Sequence, residues 1–175
     1  MLVIFDCDGV LVDSEILAAE AMGGLLAQHG LTVTVPQLLQ FVGMKQADIL
    51  AGVENIAGKP VPPMVVTDLW PQTRRLFSER LQPIAGVADF VANLAGPRCV
   101  ASSSHHERIR FSLEKTGLHS LLAPHIFSAS EVKNGKPAPD LFLHAAARMQ
   151  AEPAHAIVIE DSTAGVTGAR AAGMK

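Results

Sequence analysis

The chain has 175 residues, of which 49% are hydrophobic and 18% charged. Since about 150 residues are typical of one domain, this length allows one domain, or one domain with a small insert. The composition excludes an intrinsically disordered protein. Lys and Arg total 14 against 17 Asp and Glu, a net charge of −3. The chain therefore lacks the basic surface required for binding nucleic acid phosphates.

The N-terminus and the cysteines exclude two further classes. Residues 1–5 contain no basic side chain and end at Asp6, so they do not resemble a signal peptide. No segment approaches the roughly 18 apolar residues of a membrane span. Cys7 and Cys99 are too few for a disulfide framework and show no zinc-ligand spacing. We expect a cytoplasmic protein with no membrane or nucleic acid partner.

Four short apolar runs are typical of buried parallel strands. They cover residues 2–5, 99–101 and 156–159, with a weaker run at 125–129. Helical patterns that end near Gly or Pro lie between or after them, at 84–95, 105–116, 139–149 and 163–172. This alternation predicts an α/β fold, a Rossmann-like three-layer core in which helices cover both faces of a parallel sheet.

Residues 14–82 contain helical patterns and no clear strand. The patterns cover 14–29, a helix that begins at Pro36, 45–56, and 66–81 with an interruption at Pro71, whereas 31–35 is ambiguous. We therefore predict a helical insert at 14–82, placed after the first strand. The α/β core is then discontinuous and comprises residues 1–13 and 83–175.

Polar residues follow each predicted strand at its carboxyl end, where open parallel sheets bind ligands. Asp6 and Asp8 follow the first strand, residues 102–104 are three serines after the second, and residues 160–161 are Glu and Asp after the third. Lys136 follows the weaker fourth strand. Because parallel strands end at one edge of a sheet, we expect these groups to lie close together.

Asp6 and Asp8 are two residues apart, so their side chains lie on one side of the strand end, and Gly9 allows a sharp turn. Clustered carboxylates repel one another, and a cation is needed to keep them ionised. Mg²⁺ prefers oxygen ligands and is usually held by one or two carboxylates together with a phosphate. Hydroxyls and a lysine beside it suit the charged oxygens of a phosphoryl group. The residues predict metal-assisted phosphoryl transfer.

Four ordered motifs resemble those of the haloacid dehalogenase superfamily. Residues 6–14, DCDGVLVDS, match its first motif DxDGxLxDS; Ser102 matches the second, Lys136 in KPAPD the third, and residues 160–162 the fourth. The similar subgroup contains β-phosphoglucomutase and small phosphosugar phosphatases, in which a helical cap follows the first strand. The resemblance covers essentially the whole chain. It also implies a further strand and helix beyond Lys175, as expected if the sequence is a piece of a longer chain.

The resemblance implies a role for each motif residue. Asp6 attacks phosphorus and forms an aspartyl-phosphate, Asp8 protonates the leaving oxygen and later activates water, and Lys136 neutralises charge. Mg²⁺ is bound by the carboxylates of Asp6 and Asp161 and by the backbone carbonyl of Asp8. Glu160 lies beside the metal, directly or through water.

Phosphate-binding and substrate-binding groups follow from the same resemblance. Ser102 and Ser103 of the second motif, with Cys7 and Gly9 of the first, surround the phosphoryl oxygens. Lys45 in the cap is the candidate for binding the leaving group, because the cap closes over that part of the substrate. An exposed lysine at a helix start is an equally good interpretation of Lys45.

Neighbouring polar residues have structural interpretations. Asp13 and Ser14 are expected to shape the hinge into the insert, with Ser14 as a helix N-cap and neither catalytic. Ser104 is interpreted as a cap of the following helix, and residues 105–106, both histidines, as surface residues at its start.

The favoured function is Mg²⁺-dependent hydrolysis of a small phosphorylated metabolite, with a sugar phosphate implied by the resemblance. A phosphosugar mutase is the alternative, but Ala18 and Gln46 stand where β-phosphoglucomutase has a cap histidine and a cap arginine. A second alternative is a non-catalytic protein that binds a phosphorylated ligand; the complete set of motif residues argues against it. The sequence does not indicate the oligomeric state.

Overall fold

The computed structural model describes residues 1–44 and 46–175. Four parallel strands, β1 (Leu2–Phe5), β2 (Arg98–Ser102), β3 (Ile126–Ser128) and β4 (Ala156–Ile159), form one sheet in the order β3-β2-β1-β4. Ile4 in the centre of the sheet pairs with Cys99 of β2 and with Val158 of β4. All four strands lie within one residue of their predicted bounds.

Helices follow the strands through the rest of the chain. In the described ranges they are α1 (Glu15–Gln28), α2 (Val35–Leu38), α3 (Gln46–Ala57), α4 (Pro63–Arg80), α5 (Val87–Asn93), α6 (His106–Lys115), α7 (His119–Leu122), α8 (Asp140–Arg148) and α9 (Thr163–Ala171). Short 3-10 turns occur at 39–41, 129–131 and 153–155. None of these helices is long and apolar enough to cross a membrane.

The side chains of β1 alternate between two buried faces of the sheet. Val3 and Phe5 belong to a hydrophobic cluster that includes residues of α5 and α6. Leu2 and Ile4 belong to a second cluster with residues of α8 and α9. Burial on both faces explains why β1 is a continuous apolar run. The predicted three-layer α/β core with a parallel sheet is confirmed.

Helices α1 to α4 lie between β1 and α5 in the chain and share a hydrophobic cluster of their own. Its buried members are Ala19, Met22, Leu25, Leu26, Leu31, Val33, Leu38, Val53 and Val65. Helix α4 packs against α1 and also contacts α6 of the sheet layers. The ambiguous segment 31–35 forms no strand, and its last residue begins α2. The division of the chain at residues 14 and 82 stays a prediction.

Helix α4 differs from the prediction of an interruption at Pro71. It runs without a break from Pro63 to Arg80. Proline lacks an N–H, so the carbonyl of Thr67, one turn earlier, loses its helical donor. Pro71 and Thr67 are both exposed, so water can donate a hydrogen bond to the carbonyl of Thr67. The helix therefore continues through the proline.

Helix α8 offers a matched test of the core. Leu141 is 0% exposed, whereas Leu143 on the same helix is 40% exposed. The Leu141→Ala substitution should lower the free energy of unfolding by about 2–5 kcal/mol, because it removes buried surface and leaves a cavity. Leu143→Ala should change it by less than about 0.5 kcal/mol. Urea denaturation of both variants measures the difference, and equal losses would contradict this orientation of α8.

Candidate active site

The chain turns sharply after Asp6 at the carboxyl end of β1. The N–H of Asp6 still donates to the carbonyl of Ile159 in β4, at 3.0 Å, so this residue is fixed by the sheet. The carbonyl of Cys7 then accepts the N–H groups of Leu11 and Val12, at 2.9 and 3.1 Å. Asp6 is 5% exposed. The loop therefore holds one buried carboxylate at the rim of the sheet.

Lys136 forms a buried bridge between two of these carboxylates. Its Nζ lies 2.8 Å from Asp6 Oδ1 and 2.6 Å from Glu160 Oε2. Its side chain is 1% exposed. Burial lowers the pKa of Lys136, but the two carboxylates outweigh it and leave the pKa above its usual value. The lysine therefore stays charged and fixes both carboxylates.

Three acidic side chains form a cluster suited to a metal ion. Oxygens of Asp6, Glu160 and Asp161 all lie within 4.8 Å of one another. Burial raises the pKa of Asp6 to about 7 and also raises the pKa of Asp161. All the candidate ligand atoms are carboxylate oxygens, and hard divalent cations prefer oxygen ligands. The cluster brings together three predicted ligand carboxylates and could hold such a cation, which would keep them ionised.

Glu15 adds a fourth carboxylate, which sequence analysis missed. A Cβ built on Gly9 would lie 3.0 Å from Glu15 Oε1 and 2.1 Å from Asp161 Oδ2, so both carboxylates face the same side of the loop. Glu15 Oε1 is buried without a hydrogen-bond partner. Burial, followed by the charge of Asp161, raises the pKa of Glu15 to about 7. The sequence feature that could have identified Glu15 is its position directly after the first motif, residues 6–14.

Asp8 lies among hydrogen-bond donors. It accepts hydrogen bonds from Ser14 Oγ at 2.5 Å, Ser104 Oγ at 2.7 Å and Arg108 Nη2 at 2.7 Å. Burial raises the pKa of Asp8, but Arg108 and the two serines outweigh burial, so its pKa lies below the usual value. Asp8 is therefore a carboxylate in this state. Two aspartates only two residues apart have opposite pKa shifts.

The helix-cap interpretation of Ser104 is wrong, and that of Ser14 holds for its position but not for its side chain. Ser14 occupies the N-cap position of α1, but its side chain makes no cap hydrogen bond and donates to Asp8 instead. Ser104 also donates to Asp8, and α6 is capped by His105, whose Nδ1 accepts the N–H of Arg108 at 3.2 Å. A hydrogen bond to a charged acceptor is roughly twice as strong as a neutral one. The half-buried carboxylate of Asp8 therefore accepts hydrogen bonds from both hydroxyls.

The serines of the second motif connect the sheet to the insert. Ser102 is 1% exposed, and its Oγ accepts the N–H of Ser104 at 3.1 Å. Ser103 Oγ donates to the carbonyl of Gly43 at 3.1 Å. A Cβ on Gly43 would lie 2.4 Å from Ser162 Oγ, and its φ is +78°. Glycine therefore allows this segment of the insert to lie against the rim.

The other predicted phosphate-binding residues have structural partners. The N–H of Gly9 donates to the carbonyl of Val12 at 2.9 Å. Its φ is +78°, and it leaves space for Asp161 against the loop. Burial, then the charges of Asp8 and Asp6, raises the pKa of Cys7 well above its usual value, so its side chain is an unreactive thiol. Lys45, the predicted substrate residue, lies outside the described residues.

A cavity of about 600 Å³ lies between this rim and helices α1 to α4. That volume suits a small metabolite. Its floor includes Asp6, Asp8, Glu15, Asp161 and the serines 102–104. The opposite wall is mainly apolar and includes Ala18, Met22, Leu39, Phe41, Leu69 and Trp70. The carboxylates, the serines and the cavity form one site.

Gly9 and Gly30 provide a matched pair of substitutions. Both have a positive φ, +78° and +72°, but a Cβ on Gly30 would contact nothing within 4 Å. Each Ala variant should lose roughly 1–2 kcal/mol of stability through left-handed backbone strain. Only Gly9→Ala should also displace Asp161 and weaken binding of a divalent cation, with Mg²⁺ as the probe, by at least about tenfold, as for other residues that position metal ligands. Calorimetric titration tests this; equal Mg²⁺ affinities would contradict the geometry.

The raised pKa values predict proton release when a divalent cation binds. The carboxyls of Asp6 and Glu15, each with a pKa of about 7, carry protons at about pH 6 and are ionised at about pH 8.5. Because a cation displaces those protons, binding of Mg²⁺ as the probe should release about two protons near pH 6 and almost none near pH 8.5. Titration in buffers of different ionisation enthalpy measures the number. Release that does not change with pH would contradict the assignment.

The sequence is similar to a known family and to named proteins. A family model described as haloacid dehalogenase-like hydrolase matches residues 1–173. The 6-phosphogluconate phosphatase of Escherichia coli K12 is 29% identical over 175 residues, which cover 99% of this chain and 79% of that protein. The fructose-1-phosphate phosphatase of the same organism is 28% identical over 174 residues, 98% of this chain and 92% of that protein.

A solved structure shows the same fold. It is a haloacid dehalogenase-like protein of unknown function from Agrobacterium tumefaciens C58, with a TM-score of 0.83 and 40% identity, covering 99% of this chain and 80% of that chain. The two curated relatives are phosphatases, in line with the predicted enzyme class. The chain belongs to the haloacid dehalogenase-like hydrolase family and is an enzyme.

Proposed function

We propose that this enzyme is a Mg²⁺-dependent phosphatase that hydrolyses the phosphate monoester of a small metabolite through an aspartyl-phosphate on Asp6. One observation carries the proposal. The Asp6 carboxylate is held by Lys136 beside an acidic cluster, on the floor of a metabolite-sized cavity that Asp8 also lines.

Asp6 is the nucleophile in this proposal. Lys136 holds Oδ1, which fixes the orientation of the carboxylate toward the cavity floor. Attack forms a bond from an Asp6 oxygen to phosphorus while the bond from phosphorus to the leaving oxygen breaks. Water then attacks the same phosphorus, which releases phosphate and restores the carboxylate. Fixing the nucleophile in advance lowers the entropic barrier of the first step.

Asp6, Glu160 and Asp161 would hold the metal ion. When bound, Mg²⁺ supplies positive charge that stabilises the phosphoryl oxygens and keeps the surrounding carboxylates ionised. Lys136 adds a second positive charge, and its bonds to Asp6 and Glu160 keep both side chains in place. Ser102 and Ser103, with the loop of Cys7 and Gly9, are the proposed surroundings of the phosphoryl oxygens.

Asp8 is the proposed acid and base. Ser14, Ser104 and Arg108 fix its carboxylate at the cavity floor. In its protonated form Asp8 gives a proton to the leaving oxygen, and the resulting carboxylate accepts a proton from the attacking water. The lowered pKa of Asp8 favours that second, basic form in the substrate-free enzyme.

The substrate is proposed to be a small sugar phosphate or sugar-acid phosphate. The two E. coli relatives act on 6-phosphogluconate and fructose 1-phosphate by name. Residues 14–82 act as the cap over the leaving group, with residues 1–13 and 83–175 as the catalytic core. The contact of Ser103 with Gly43 supports a cap that rests on the core. Ala18 lines the cavity and offers no proton-transfer group, which favours a hydrolase over a mutase.

Phosphate release tests the proposal. Wild-type enzyme should release phosphate from p-nitrophenyl phosphate and from some members of a sugar phosphate panel, with Mg²⁺ and not with EDTA. Asp6→Asn should lose at least about a thousandfold in rate, as expected for removal of a nucleophile. Asp89→Asn, an exposed position on α5, is the matched control and should keep the wild-type rate. Folded wild-type protein that releases no phosphate would contradict the proposal.

A further inference from the structure

Arg108 is a cation in the cavity wall that holds Asp8 and has no contact with the substrate in the proposed phosphoryl transfer. It lies in the first turn of α6, beside the loop of serines 102–104. Among the described residues that line the cavity, Arg108 is the only lysine or arginine. Its side chain is 21% exposed. It is therefore largely withdrawn from solvent and remains accessible from the cavity.

The guanidinium of Arg108 has unused hydrogen-bonding capacity. Nη2 donates to Asp8, but Nε is buried and has no partner among the described residues. Trp70, on the cap side of the cavity, likewise has a buried Nε1 without a partner. A buried polar group left unpaired destabilises a protein by about 1–3 kcal/mol. Because these two nitrogens are buried, a ligand in the cavity reaches the guanidinium through its other N–H groups, of which Asp8 uses one.

A cluster of aromatic rings packs against one side of the guanidinium through Phe77. Its central carbon lies 5.1 Å from the centre of the Phe77 ring, and Phe77 is 0% exposed. Trp70 packs edge-on against Phe77, with 6.4 Å between the ring centres, and against His105, at 5.1 Å. Charges attract more strongly in such apolar surroundings than in water. The rings therefore strengthen any pairing of Arg108 with an anion.

The other described charges of the cavity are unfavourable for an anionic leaving group. Asp6, Asp8, Glu15 and Asp161 contribute carboxylates to its floor. The nearby cation Lys136 already pairs with two carboxylates. A planar guanidinium has five N–H donors and can bind two anionic groups at once. Arg108 can therefore keep its hydrogen bond to Asp8 and also donate to a second anion.

We propose that Arg108 binds a second anionic group, a carboxylate or a phosphate, on the leaving group of the substrate. Arg108 is then the residue that selects anionic phosphate esters over neutral ones. This inference rests on the proposed phosphatase function and specifies its substrate class. Phe77 packs against the guanidinium, and the accessible N–H groups not used by Asp8 are the donors to the anion.

Matched substrate pairs test the selection. 3-Phosphoglycerate and 6-phosphogluconate differ from glycerol 3-phosphate and glucitol 6-phosphate by a carboxylate in place of a CH₂OH group. Fructose 1,6-bisphosphate against fructose 1-phosphate tests a second phosphate. For at least one pair, the wild-type kcat/KM should favour the anionic member by at least about tenfold. Arg108→Met should remove this preference, mainly through KM, and Arg108→Lys should retain part of it.

Arg74→Met is the control variant. Arg74 also lies between cap and core, 5.0 Å above the Phe111 ring and 3.9 Å from Glu107, but it is 56% exposed and does not line the cavity. It should keep the wild-type preference. The proposal is overturned if no pair shows a preference. It is equally overturned if Arg108→Met slows both members of every pair alike, because Arg108 then serves Asp8 alone.

Binding to Asp6→Asn separates this inference from the proposed chemistry. With the nucleophile removed, the Kd of 6-phosphogluconate and of glucitol 6-phosphate reports recognition alone. Adding Arg108→Met should weaken binding of the anionic member by at least about tenfold and leave the neutral member nearly unchanged. Equal changes would overturn the role of Arg108. Absence of phosphate release by wild type would instead contradict the phosphatase function, and the Kd ratio would still decide the role of Arg108.

Discussion

The buried bridge from Lys136 to Asp6 and Glu160 is the interaction on which the site depends. It joins the end of β1 to the end of β4 through a side chain that comes from neither strand. Buried charges are tolerated when they are paired and hydrogen-bonded, and removing one partner leaves the others uncompensated. The bridge therefore does more than position a nucleophile: it makes the close approach of three acidic side chains at one rim compatible with a folded protein.

Asp6 and Asp8 lie close together in the chain but have different surroundings. Burial beside other carboxylates raises the pKa of Asp6, whereas Arg108 and two serines lower the pKa of Asp8. In active sites, two carboxyls whose surroundings shift their pKa values in opposite directions usually have different catalytic roles. A bound cation would keep Asp6 ionised among the other carboxylates. Asp8 instead accepts hydrogen bonds from Ser14, Ser104 and Arg108. The pKa values of the proposed nucleophile and the proposed acid thus differ because of the residues around them.

Sequence analysis predicted the strands because buried parallel strands are short apolar runs, and it predicted the rim because polar residues follow each of them. Arg108 was missed because its contact with Asp8 spans 100 positions in sequence. Ser104 was misread because a hydroxyl at a helix start usually caps it. Pro71 was expected to interrupt a helix, but water can donate a hydrogen bond to the carbonyl that the proline leaves without a helical donor. Helix α7, with four residues, is too short to show a period. The roles of the individual site residues stay predictions.

Chemical trapping of the phosphorylated residue tests the central claim most directly. Enzyme quenched during turnover of a good substrate is treated with borohydride, which reduces an acyl phosphate to an alcohol and so converts a phosphorylated aspartate to homoserine. Mass spectrometry of the peptide that contains both Asp6 and Asp8 then locates the change. The proposed mechanism predicts homoserine at position 6, dependent on substrate and Mg²⁺ and absent from Asp6→Asn. Sustained turnover without homoserine at position 6, or with homoserine at position 8, would contradict it.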